Sequence, residues 1–151
     1  MFFSNKIKFF VKLFASGFTI GYIPIAPGTF ATLLAVAFWW YLPRSYFYIL
    51  TILLFLISIY VCGKAEKIYG NKDDKRIVID EIIGYFTAII FLPKSFLVLI
   101  LSFVLFRYFD IKKPLFIKSV QNYNGSLGIL SDDLISGILT NIIIRIILLC
   151  K

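Results

Sequence analysis

The chain has 151 residues, of which 60% are hydrophobic and 19% aromatic, with a mean hydropathy of +0.92 and a formal net charge of +8. That length suits one domain over residues 1–151, and a soluble core of this size could not hide so much apolar surface, so lipid is the expected solvent for much of it. The complete lack of histidine excludes histidine bases, nucleophiles and metal ligands, and basic residues scattered between apolar runs point to an anionic membrane face rather than nucleic acid.

Residues 1–16 read as an amphipathic helix lying in the headgroup layer. Phe3, Ile7, Phe10 and Phe14 recur at spacings of three or four, and Lys8 and Lys12 fall elsewhere. No small-residue cleavage site closes this stretch, so no cleavable signal peptide is expected. Residues 17–28, GFTIGYIPIAPG, are punctuated by glycine and proline and read as irregular. Two apolar runs follow, 29–42 and 46–62, broken at Pro43-Arg44-Ser45, and predict a hairpin through the bilayer. Residues 63–76 are polar and basic. The runs 77–92 and 95–106, broken at Pro93-Lys94, predict a second hairpin. A polar loop over 107–131 with a Gly125-Ser126 turn leads to a last apolar run, 134–150. The expectation is an all-α, polytopic membrane bundle with short spans: two hairpins, a C-terminal helix and the interfacial helix. Cys62 and Cys150 end separate apolar runs without CxxC spacing and read as packing residues.

Charge orients this topology. With the N-terminus inside and five crossings, the inside holds Lys6, Lys8, Lys12, Lys64, Lys67, Lys72, Lys75, Arg76, Arg107, Lys112, Lys113 and Lys118. The outside holds Arg44, Lys94 and Lys151, and Arg145 falls within a helix. Twelve against three satisfies the positive-inside rule. The same topology brings segment 17–28, Asp80-Glu81, segment 107–114 and Ser131–Asp133 to one interface.

Glu66, Asp73 and Asp74 lie among lysines and read as solvated. The other five carboxylates, Asp80, Glu81, Asp110, Asp132 and Asp133, each abut an apolar run, where charge is costly. Two readings stand. In the local one, the acid pairs begin helices, with Ser131 as an N-cap, and Arg107 and Asp110 form a surface pair at i,i+3. In the functional one, the carboxylates bind Mg²⁺, a hard cation that joins one or two carboxylates to substrate phosphate. Arg107, Lys112 and Lys113 would then hold phosphate oxygens. Gly84 and Gly137 follow Asp80 and Asp133 by four residues and would let helices approach closely, whether for the metal or for ordinary packing. Gly28 and Thr29, entering the first apolar run after Pro27, could supply an anion-binding helix start or simply a re-entrant turn.

These stretches together resemble the phosphatidylglycerophosphatase A family. The matching pieces are Pro24-Ile25-Ala26-Pro27-Gly28-Thr29, Asp80-Glu81-Ile82-Ile83-Gly84, the segment from Phe106 to Pro114 (FRYFDIKKP) and the segment from Gly128 to Gly137 (GILSDDLISG). The resemblance implies a Mg²⁺-dependent phosphatase of the bacterial inner membrane with its site facing the cytoplasm. Its substrate would be phosphatidylglycerophosphate and its products phosphatidylglycerol and inorganic phosphate. The family's acidic positions fall on Asp80, Glu81, Asp110, Asp132 and Asp133, and its cations on Arg107 and Lys113. Departures are Ala31-Thr32 for Gly-Ser, Leu115-Phe116 for Trp-Pro, and Ser131 and Ser136 at usually apolar positions; none removes a charged site residue. Water attack on phosphorus and a carboxylate nucleophile, with Asp110 the candidate, both remain open. A CDP-alcohol phosphotransferase would need an Asp-Gly…Ala-Arg helix that is not found. A non-enzymatic small membrane protein is the reading from another class.

Overall fold

A computed structural model of the chain describes residues 4–71, 74–113 and 126–150. Its regular elements are helical: α1 (Asn5–Ala15), a 3₁₀ turn (Ile20–Tyr22), α2 (Pro27–Tyr41), α3 (Arg44–Tyr69), α4 (Ile79–Ile89), α5 (Phe96–Lys112) and α6 (Ser126–Leu149). No strand occurs among the described residues. The all-α expectation holds.

α4 is the centre. It has only 11 residues, and nine of them are buried, Asp80 included. α2, α3, α5 and α6 all pack against it. The ring of Phe86 meets Phe47 of α3 at 4.7 Å, Tyr85 meets Phe106 of α5 at 5.7 Å, and the Tyr85 hydroxyl pairs with Ser102 at 2.9 Å. A helix this short leaves its last carbonyls buried without intrahelical donors. Asn141 of α6 supplies them: its Nδ2 donates to the carbonyls of Thr87, Ala88 and Ile90 at 3.3, 3.0 and 3.0 Å, and Arg145 Nε donates to its Oδ1 at 2.7 Å. Lys94 does the same for α2, donating to the carbonyls of Trp40 and Leu42.

Several helix boundaries differ from the hydropathy reading. α3 continues seven residues past Cys62, because Lys64-Ala65-Glu66-Lys67 are good helix formers and the first stop is Gly70, left-handed at φ 78°. α5 runs through Lys112, so the Arg107–Lys112 stretch is helical rather than loop. α6 starts at Ser126, well before the apolar run. Ser131 is therefore not an N-cap, and Asp132-Asp133 lie in the second turn. Phe3, Asp73, the segment from Pro114 to Gly125 and its Leu115-Phe116 fall outside the described residues.

Among the described residues, one helix, α3, is long and apolar enough to cross a membrane, with 26 residues and a hydropathy of 2.2. Tyr46, Ile49, Ile52, Leu53, Leu56 and Ile59 expose an apolar face along it. α2 with 15 residues and α5 with 17 fall short of the roughly 20 a span needs. α4 is shielded by its neighbours, and α6 carries Asp132, Asp133 and Arg145. Among the described residues, helix length therefore gives one candidate crossing, and the five predicted from hydropathy are not established by it. α1 exposes Ile7, Phe9 and Phe10 and buries Val11 and Ala15, as an interfacial helix would.

The segment entering α4 is pinned on both sides. Val78 N–H donates to the Ala15 carbonyl at 2.8 Å, and Gly21 lies against the Arg76 backbone, where a Cβ has no room. Asp74, read from sequence as solvated, is buried. It accepts from Arg76 Nε at 2.7 Å, Nη2 at 2.8 Å and the backbone N–H at 3.0 Å. Arg76 in turn stacks on Tyr69, 4.1 Å from the ring centroid. The guanidinium holds the Asp74 carboxyl well below the usual carboxylate range. A depressed native pKa adds stability above the ordinary aspartate value, and that contribution is lost as pH falls through the native one. Thermal unfolding followed downward from about pH 5 is therefore expected to fall less steeply in Asp74→Asn than in the parent.

Candidate active site

Three helices deliver the charged residues to one place, and the first turn of α2 packs against them. Asp80 and Glu81 occupy the first turn of α4, where the dipole favours acids. Arg107 and Asp110 lie in the last turns of α5. Lys113 ends that helix in the left-handed region, φ 41°, a conformation costly for a side chain other than glycine. From there its ammonium pairs with Asp132 of α6 at 2.5 Å. Asp133, the next residue, lies against Gly84 of α4.

Asp80, Glu81 and Asp133 each present an oxygen within 4.8 Å of the others. Asp110 borders them, contributing to the field at both Glu81 and Asp133. Its Oδ2 takes Arg107 Nη1 at 2.5 Å, and the pair is buried, with side-chain exposures of 16% and 11%. The surface ion pair of the local reading is thus an interior one. Asp80 Oδ1 accepts the Glu81 N–H and Asp132 Oδ1 accepts the Asp133 N–H, both at 3.1 Å.

Glycines allow this convergence. Gly84 of α4 lies against Asp133, where a Cβ would sit 2.8 Å from the Asp133 Cβ and 2.9 Å from its carbonyl oxygen. Gly137 of α6 lies against the Gly84 carbonyl and the Ala88 N–H. Gly28, in the first turn of α2, lies against the Glu81 carboxylate, with Arg107 Nη1 3.3 Å from where its Cβ would be. The turn before it is formed by Ala26 in the left-handed region, φ 49°, leading into Pro27 at the helix start. Thr29 is half-buried on the same turn, its N–H bonded to the Ala26 carbonyl at 3.0 Å. Lys112 is exposed on the last turn of α5 and is not drawn into the cluster. Cys62 is buried beside Asp80. Of the family departures, Thr32 bonds back to the Gly28 carbonyl and Ser136 to the Asp132 carbonyl, at 2.9 and 2.8 Å. Asn141 carried no signal in the sequence, because a cap supplied from a distant helix has no local spacing.

Electrostatically the cluster is incomplete. Five carboxylates meet two ion-paired cations, Arg107 and Lys113. Glu81 Oε2 and Asp133 Oδ1 are buried without a hydrogen-bond donor, and Arg107 Nε is buried without an acceptor. Each such atom carries a desolvation cost of about 1–3 kcal/mol, more when charged. Orphaned carboxylate oxygens call for a cation, and an orphaned guanidinium N–H calls for an anion. An all-oxygen donor set of this kind fits a hard divalent cation, and the free guanidinium edge fits a phosphate oxygen beside it.

Fold and site together define, among the described residues, an all-helical protein with one helix of membrane-spanning length and a buried acidic centre suited to phosphate-ester chemistry. Comparison with known proteins bears on which one. The family profile for phosphatidylglycerophosphatase A matches residues 13–148. Phosphatidylglycerophosphatase A of Escherichia coli K12 is 35% identical over 133 residues, covering 85% of this chain and 77% of that protein. The Haemophilus influenzae phosphatidylglycerophosphatase A is 35% identical over 140 residues, 89% and 86% of the two chains. A Bacteroides thetaiotaomicron protein, whose name provisionally makes it a phosphatidylinositol-3-phosphatase, is 32% identical over 153 residues, 94% and 96%. No solved structure matches. The chain belongs to the phosphatidylglycerophosphatase A family, and with it to the phosphoric monoester hydrolases.

Proposed function

We propose that the chain is a Mg²⁺-dependent phosphatase that hydrolyses phosphatidylglycerophosphate to phosphatidylglycerol and inorganic phosphate at the cytoplasmic face of a bacterial inner membrane. The observation that carries this reading is the set of orphaned buried atoms, Glu81 Oε2, Asp133 Oδ1 and Arg107 Nε, in a family member. Asp80, Glu81 and Asp133 would hold the ion, with Asp110 and Asp132 bordering it. When bound, Mg²⁺ supplies positive charge to the phosphoryl oxygens and to the attacking water. The Arg107 guanidinium binds a non-reacting phosphate oxygen through its open Nε edge, while Asp110 fixes its orientation. Lys113, held by Asp132, adds a second positive charge at the rim, and Lys112 reaches the headgroup from outside. Gly28 lets the Glu81 carboxylate and the Arg107 guanidinium lie against the start of α2, where they would meet the phosphate, and Thr29 closes that turn.

In the reaction the water oxygen bonds to phosphorus and the P–O bond to the glycerol headgroup breaks. A site carboxylate takes one proton from the attacking water and passes it to the departing alkoxide, which leaves as the alcohol. In-line transfer of this kind rests mainly on positioning and charge stabilisation. The lipid tails stay in the bilayer, and the twelve-to-three basic asymmetry supports a multi-pass arrangement with the site inside.

The Bacteroides relative motivates a second substrate, phosphatidylinositol 3-phosphate, which also joins a phosphomonoester to an anionic phosphodiester lipid. Purified protein in detergent, assayed for phosphate release from each lipid at millimolar Mg²⁺, separates the two. Faster release from phosphatidylglycerophosphate is expected. Chelation by EDTA should reduce the rate by at least about 100-fold, with Mg²⁺ restoring it. No release from phosphatidylglycerophosphate by folded protein sinks the assignment, and release undiminished by EDTA removes the metal.

A further inference from the structure

A groove of about 540 Å³ opens on the flank of α3 where that helix meets the start of α6, lined by Leu56, Ile59, Tyr60, Lys64, Lys67 and Ser126 among others. None of these residues belongs to the carboxylate cluster. We propose that this groove holds the headgroup of an anionic glycerophospholipid, a resident lipid separate from the one being hydrolysed.

The residues fall in an order that matches such a lipid. Positions 56, 59–60, 63–64 and 67 share one face of α3. Leu56 and Ile59 continue the apolar face exposed by Ile49, Ile52 and Leu53, so acyl chains would lie along the membrane-length part of the helix. One turn further on, apolar side chains give way to a tyrosine and two lysines. Tyr60 is 56% exposed, and the Lys64 ammonium lies 3.7 Å over its ring. Tyrosine and lysine at the end of an apolar helix are the residues that settle at headgroup depth. The Ser126 hydroxyl accepts the Gly63 N–H at 3.1 Å, closing the groove against α6. Among the described residues the lining contains two cations and no carboxylate. That charge suits a phosphodiester with no compensating ammonium, such as phosphatidylglycerol, over zwitterionic phosphatidylcholine. The inference requires that α3 lie in the bilayer and does not depend on the proposed reaction.

The test uses the full chain in phosphatidylcholine nanodiscs doped with phosphatidylglycerol, with protein-bound lipid counted by native mass spectrometry after release. The parent should retain phosphatidylglycerol over phosphatidylcholine by on the order of tenfold relative to the bulk ratio. Lys64→Gln/Lys67→Gln should lose most of that preference. Lys6→Gln/Lys8→Gln, removing the same charge from α1, should keep it. Lipid held at the catalytic centre is common to all three proteins, so the difference reports the groove. Phosphate release from a water-soluble short-chain phosphomonoester should be unchanged in the double variant. If that variant fails to fold, Lys67→Gln, at an exposed position, should show a partial loss. Equal retention by parent and folded lysine variants, or no preference in the parent, overturns the proposal.

Discussion

Asp133→Asn is expected to leave a folded, membrane-inserted protein whose phosphate release falls by more than about 100-fold. Asparagine keeps the shape of the side chain but gives up the charge and one acceptor oxygen. Asp133 Oδ1 is one of the orphaned atoms, and the residue sits within 4.8 Å of the oxygens of Asp80 and Glu81. The same change removes one of several like charges crowded into a buried space, so stability without metal should hold or rise. Phosphate release and thermal unfolding in the same detergent measure the two effects separately. A loss of activity together with collapse of the fold would make Asp133 a structural residue. Activity within about threefold of the parent would remove it from the reaction.

Gly84→Ala should damage both stability and activity. The added Cβ would meet Asp133 at its Cβ, its carbonyl oxygen at 2.9 Å and its carbonyl carbon at 3.0 Å. Two of those are backbone atoms on a packed helix and cannot turn aside as a side chain can. The helices must separate, at a cost of about 1–3 kcal/mol, and Asp133 moves away from Asp80 with them. Gly28→Ala makes the informative contrast. Its Cβ would meet the ends of the Glu81 and Arg107 side chains, which can shift. Activity should drop while the unfolding temperature stays near that of the parent. An unaltered unfolding temperature in Gly84→Ala would mean that α4 and α6 do not pack this closely.

Much of the site was legible because charge is costly in apolar surroundings. Asp80, Glu81, Asp110 and Asp133 each interrupt or end an apolar run, and the basic-residue count alone brought them to one level. The structure places them together. Gly84 and Gly137 were readable for the same reason, as small residues at helical spacing from acids. What the sequence hid was long-range or polar. Asn141, Asp74 and the continuation of α3 to Tyr69 carry no hydropathy signal, since polar residues continue a helix as well as apolar ones do. Hydropathy by itself does not separate a crossing from a core helix. An apolar run such as 77–92 can be apolar because protein surrounds it, as it does around α4, and not because lipid does.

Divalent-ion binding, measured directly, reaches the centre of the account. Mn²⁺ stands in for Mg²⁺ as an oxygen-seeking ion that paramagnetic resonance can count. Titrated into purified protein without substrate, it should fill a saturable site in the parent and in Asp74→Asn. That site should be lost in Asp80→Asn and Asp133→Asn, with each variant's fold intact. Mn²⁺ bound as tightly by those two variants as by the parent, or by none of the proteins, would contradict a metal held between α4 and α6.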